Sequence, residues 1–180
     1  MNKSLLPIFY SEFNASPNWD LIDELEFCIK TKLIQIQAED IAKIEEFYNV
    51  LDKGPISDGP GPQGKGHMSL KTLAQNWLSK QGKTSKTEVF YAGLHPDVIS
   101  DSSDIIIECG STDPACIPIY LPVDGVNYVG IVPFPHLDDV DINLYKFIKT
   151  NEYLTYLNDK KLTWRENLKK FTRYRRLVDK

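Results

Sequence analysis

The sequence predicts an α/β fold, with strands and a helix forming one core and helices flanking it at both ends of the chain. Three observations predict it. From His67 onward the apolar spacing is helical, then strand-like three times, then strand-like again after a proline-rich connection. The regions on either side carry apolar residues three and four apart. Finally, 180 residues that are 42% hydrophobic and 26% charged suffice for one well-buried core.

Residues 1–54 read as an N-terminal helical region. Ser16-Pro17 offers a cap and a first-turn proline, and Trp19, Leu21, Ile22, Leu25 and Ile29 follow at helical spacing, which predicts a helix over 16–31. Ile41, Ile44, Phe47, Tyr48 and Leu51 predict a second helix ending near Lys53-Gly54. Residues 55–66 form a Gly/Pro-rich loop. Within it Gly59-x4-Gly64-Lys65 nearly matches a phosphate-cradling loop. Prolines precede it, however, and Gly66 stands where a hydroxyl would hold magnesium, so nucleotide binding is not expected.

Residues 67–135 make the α/β core. Met68, Leu70, Leu73, Ala74, Trp77 and Leu78 predict a helix stopped by Gln81-Gly82. Strands are predicted over Lys86–Ala92, Pro96–Ser100 and Ile105–Cys109, and, after STDPACIPIYLPVDG, over Asn127–Phe134. Residues 136–180 form a C-terminal helical region with a basic tail: Ile142, Leu144, Tyr145, Phe147 and Ile148, then Tyr153, Leu154 and Leu157, suit helical spacing.

Charge is segregated along the chain. The net charge is -4, yet residues 160–180 carry nine Lys or Arg against two acids, leaving the remainder strongly acidic. In LTWRENLKKFTRYRR, aromatic residues interleave with Arg165, Lys169, Lys170, Arg173, Arg175 and Arg176, a pattern suited to nucleic-acid phosphates and bases. An amphipathic helix packed through Leu162, Leu168, Phe171 and Leu177 accounts for the same residues, and the two accounts are compatible. Cys28, Cys109 and Cys116 form no disulfide set or zinc-ligand spacing, which fits a reduced compartment. No apolar run is long enough for a membrane span and the start lacks a secretory signal, so a cytoplasmic protein is expected.

The segment HPDVISDSSDIIIECG, His95 to Gly110, carries the chemistry. If Asp97 and Glu108 lie on antiparallel strands joined by a four-residue loop, 101–104, they stand directly opposite each other; a two-residue loop makes them diagonal neighbours. Either way both carboxylates share a face, where Mg2+ or Mn2+ finds oxygen ligands, with the Cys109 carbonyl as a third. Glu108 follows Ile105-Ile106-Ile107, and a lone acid there is expensive to bury unless something pairs with it. A turn-forming Pro-Asp and a solvated strand-end Glu are the plainer account.

A helix with His67-x-x-Leu70-Lys71 and a Trp77-Leu78 end, a strand with Glu88, Pro96-Asp97-Val98, and Ile106-Ile107-Glu108-Cys109-Gly110 together resemble the PD-(D/E)xK nuclease superfamily. The likeness is to its competence-type and restriction-like branch and covers residues 67–134. It implies a restriction-endonuclease-like αβββαβ core with a mixed central sheet and extra N- and C-terminal helices. It also implies Asp97 and Glu108 as catalytic metal ligands for Mg2+ or Mn2+, Glu88 as a further acid, and phosphodiester hydrolysis, in DNA before RNA. The motif lysine belongs at position 110, where this chain has Gly110. Two expectations compete: Lys71 supplies the charge from the helix, or the fold has lost cleavage and binds nucleic acid or a protein partner in a defence or mobile-element system. A homodimer is a further expectation. His67 reads as a helix-start residue rather than a base.

Overall fold

The computed structural model describes residues 18–53 and 64–178, with side chains as far as Thr172. A six-stranded mixed sheet lies between two layers of helices. The elements are α1 (Trp19–Lys30), β1 (Ile34–Lys43), α2 (Ile44–Lys53), α3 (Lys65–Lys80), β2 (Ser85–Lys86), β3 (Val98–Ser100), β4 (Ile105–Cys109), a 3-10 turn (Pro114–Cys116) running into α4 (Ile117–Tyr120), β5 (Tyr128–Val132), β6 (Asp141–Lys149), α5 (Asn151–Asp159) and α6 (Trp164–Val178). The sheet order is β1-β6-β5-β4-β3-β2, with only β4 and β5 parallel.

Side-chain alternation sorts the strands into two faces. Ile105, Ile107 and Cys109 of β4 pack with Leu70, Leu73, Trp77 and Leu78 of α3 and Phe47 of α2. Ile106 turns the other way, onto Leu25 of α1, Ile117 and Tyr120 of α4, and Tyr153 and Leu157 of α5. On that second side Phe171 of α6 meets Leu21, Ile22, Ala115 and Ile119, so the last helix docks over α1 and the short α4 segment. Gly93 lies so close beneath α6 that an added Cβ would sit 2.1 Å from Leu168.

Two expected helical stretches are strands. β1 and β6 pair antiparallel along nearly their whole length, with a bulge between Asp40 and Ala42. Residues 142–148 therefore belong to β6, and Ile41 closes β1 rather than opening a helix; α2 starts only at Ile44. The cause is double-sided cover. Ile142 and Leu144 face the α2/α3 layer while Phe147 faces the α1/α5 layer. A strand covered on both faces carries apolar residues at mixed intervals that also suit a helix. The N- and C-terminal regions thus each contribute a strand to the central sheet instead of only wrapping it.

The helix expected over 16–31 runs Trp19–Lys30 and is capped by Asn18, whose side chain accepts from the Leu21 N–H; Ser16 and Pro17 lie outside the described residues. Most of the 55–66 loop, with Gly59, also lies outside them, and α3 begins at Lys65 within its predicted end. The Lys86–Ala92 strand shrinks to Ser85–Lys86. Beyond it Glu88 and Ala92 adopt left-handed backbone, φ 54° and 51°, which breaks the regular ladder and leaves residues 87–96 a loop closed by the Glu88 N–H on the Pro96 carbonyl and an isolated Tyr91–Leu94 bridge. Among the described residues no helix is long and apolar enough to cross a membrane.

Candidate metal centre

The β3–β4 hairpin sets the geometry. Val98 pairs with Ile107 and Ile99 with Ile106, so the connecting loop is the four-residue one, 101–104. Asp97 precedes β3 in a bend and lies beside Glu108, which shares its side of β4 with Ile106. The hairpin loop is pinned by Asp104, which accepts from Ser100 at 2.7 Å, from Lys83 at 2.7 Å and from Ser102. Partial burial opposes its charge, but these donors outweigh that and hold its carboxyl well below the usual range.

Asp97 is the hub. Its Oδ1 accepts from His67 Nε2 at 2.9 Å and lies 3.4 Å from the Lys71 ammonium, while its Oδ2 accepts from the Cys109 backbone N–H at 2.8 Å. His67 and Lys71 lie one helical turn apart on α3, so both side chains leave the same face and arrive at one carboxylate. Lys71 also donates to Glu88 and is only 2% exposed. Burial works against the ammonium, but the Glu88 bond and the Asp97 charge prevail and raise its pKa above the ordinary lysine value. Burial likewise opposes ionisation of Asp97, and the His67 and Cys109 hydrogen bonds reverse it, lowering the pKa.

Glu108 is half-buried beside Asp97. Loss of water, then the neighbouring Asp97 charge, push its carboxyl up to about 8. Tyr120 reaches Glu108 from α4, its buried hydroxyl lying beside the carboxyl without a well-aligned hydrogen bond. The Cys109 thiol points to the opposite face, into the α3 core, where burial pushes it up. A cleft of about 580 Å³ opens over the group, lined among others by His67, Glu88, His95, Asp97, Glu108 and Tyr120.

Ligand atoms of His67, Glu88 and Asp97 all lie within 4.8 Å of one another, so these three could hold a metal ion. The expected set of Asp97, Glu108 and the Cys109 carbonyl overlaps this group only at Asp97. His67, expected as a mere helix-start residue, is drawn into the site. Its signal in the sequence was the four-residue spacing to Lys71, which puts two polar side chains on one face of a mostly apolar helix. Glu88 gave no such signal, because it arrives through a left-handed backbone turn.

Gly110 has φ 74°, and a Cβ there would lie 2.7 Å from the Phe134 ring and 3.3 Å from His67 Nδ1. A side chain at position 110 would therefore be strained and would have to displace Phe134. Of the predicted nucleic-acid contacts, Arg165, Lys169 and Lys170 are exposed on α6, and Arg165 lies over the Trp164 ring at 5.5 Å. The side chains of Arg173, Arg175 and Arg176 lie outside the described residues. Compared with protein-family models, curated proteins and solved structures, the chain finds no match.

Proposed function

We propose that the chain is a divalent-metal-dependent nuclease that hydrolyses phosphodiester bonds in DNA, with its centre at Asp97 and Glu108 and its positive charge supplied by Lys71. The carrying observation is a buried lysine ammonium 3.4 Å from Asp97, with Glu108 of β4 beside that carboxylate. The element order supports it: α3, β2, β3, β4, the α4 crossover and parallel β5 follow the αβββαβ sequence of the PD-(D/E)xK fold.

The donor set fits a hard cation. Asp97, Glu88 and ionised Glu108 carry three negative charges against the one positive charge of Lys71, and the remaining excess equals one divalent ion. Oxygen donors beside an imidazole suit Mn2+ as well as Mg2+. Such an ion, when bound, supplies charge against phosphate oxygens and an acidified water. Asp97, oriented by the Cys109 N–H, and Glu108 would hold it from the strands, and Glu88 and His67 from the loop and helix.

Lys71 takes the part of the missing lysine from a different backbone position. Its raised pKa keeps the proton on Nζ, so it offsets charge developing on the phosphate rather than removing a proton from water. Phe134 and Phe171, which also line the cleft, limit water around that charge. The exposed Arg165, Lys169 and Lys170 on neighbouring α6 give the flanking phosphates a cationic surface.

A second reading, a noncatalytic nucleic-acid-binding or partner-binding module that keeps this fold, is favoured by one observation. Lys71 is already paired with both Glu88 and Asp97, as a purely structural ion pair would be. Incubation with plasmid, linear and single-stranded DNA in Mg2+ or Mn2+ separates the two. A metal-dependent nick that disappears in Asp97→Ala, Glu108→Ala and Lys71→Ala supports the nuclease. Intact DNA under every condition, with binding retained, supports the module.

A further inference from the structure

Tyr120 is the last residue of α4, a single turn that leads on from a 3-10 turn capped by Asp113. Its ring is fully buried against Ile99, Ile106, Cys116 and Ile117. A phenylalanine would fill this space as well. The hydroxyl instead ends in the interior beside the Glu108 carboxyl, without a well-aligned hydrogen bond among the described residues, an arrangement that costs stability unless something uses it. The titratable group it faces is Glu108, on the same side of β4.

The placement is rigid. Asn167 of α6 donates to the Pro118 carbonyl at 2.8 Å, fastening α4 from outside, and Asp113 fastens the preceding turn by accepting from the Ala115 N–H at 2.9 Å. The hydroxyl therefore approaches Glu108 from α4, and both residues line the floor of the same cleft. A carboxylate that holds a cation through one oxygen keeps lone pairs to accept a bond from elsewhere. Donors in that outer position orient a metal ligand and tune its affinity, and their loss weakens metal binding by on the order of 10-fold to 100-fold.

We propose that Tyr120 is a positioning residue for the metal centre, its buried O–H donating to the Glu108 carboxylate when Glu108 ligates a divalent cation. This rests on the proposal that Glu108 is a metal ligand. The hydroxyl already lies beside Glu108 in the metal-free protein, and the charge of a ligating carboxylate strengthens the bond it donates.

The test is Mn2+ titration of the full chain by calorimetry, for wild type, Tyr120→Phe, Glu108→Gln and the double variant, with melting in chelator as the fold control. Tyr120→Phe is expected to bind Mn2+ roughly 10-fold more weakly and to melt at or above wild type without metal. In the Glu108→Gln background Tyr120→Phe is expected to add no further loss. Unchanged Mn2+ affinity in Tyr120→Phe, alongside weakened binding in Glu108→Gln, overturns the role of Tyr120 and leaves the metal centre standing. Unchanged affinity in Glu108→Gln removes Glu108 as a ligand, and the role of Tyr120 with it. A lowered melting temperature for Tyr120→Phe in chelator assigns the hydroxyl to folding and also overturns the proposal.

Discussion

Replacing Gly110 by alanine tests whether a lysine could ever have stood at the motif position. Two costs apply. A left-handed backbone, φ 74° at Gly110, penalises any Cβ by roughly 1–2 kcal/mol. In addition the new methyl would lie 2.7 Å from Phe134 Cε2 and 2.8 Å from Cζ, and forced repacking of this kind costs roughly 1–3 kcal/mol. Gly82 is the control. It follows α3 with nearly the same φ, 73°, but an added Cβ there meets nothing within 4 Å, so only the first cost remains. At roughly 2–4 °C per kcal/mol for a chain of this size, an extra cost of about 2 kcal/mol makes Gly110→Ala melt roughly 4–8 °C below Gly82→Ala. Differential scanning calorimetry of the two variants measures this directly. Coincident melting would mean that Phe134 yields freely, and position 110 would then be sterically open to lysine. The case for charge arriving from Lys71 would lose its steric basis.

Lys71→Met is expected to destabilise the metal-free protein by about 2–3 kcal/mol, less than a fully buried pair because Glu88 is 42% exposed. Saturating Mn2+ should recover most of that loss in urea denaturation, since the ion then neutralises Asp97 and Glu88 itself; an equal loss with and without Mn2+ would refute the sharing of these acids. Asp104→Asn should remove one source of acid sensitivity. The folded carboxyl lies below its ordinary value of 3.8, so its stabilisation is present above that pH and is lost as pH falls further; a wild-type-like decline in the variant below pH 4 would count against it. Replacing Lys169 and Lys170 by alanine should reduce the salt dependence of DNA binding, measured by fluorescence anisotropy, by a log–log slope of about 0.9 for each lost phosphate contact. An unchanged slope would assign these lysines to solvation alone.

Local signals in the chain were strong where one element has one covered face or an unbroken β-branched run. The α3 pattern, the Ile105–Cys109 strand and the α5 pattern at Tyr153 and Leu157 were legible in this way. So was the four-residue hairpin loop, 101–104, as one of two options, because strand alternation leaves few choices. β1 and β6 were not legible as strands. Their apolar residues serve two helical layers at once, and only the sheet they join tells period two from period 3.6.

The sequence by itself determined an α/β chain, two acids flanking one hairpin, a lysine-bearing helix before it and a glycine two residues after Glu108. Tertiary structure decided the rest: that β4 and β5 run parallel, that His67 and Lys71 meet at Asp97, that Glu88 enters through a left-handed turn, and that Phe134 fills the space at Gly110. The physical reason is reach. Alternation and helical spacing act over a few residues, whereas the charge balance and free space at a site depend on groups brought together from distant parts of the chain.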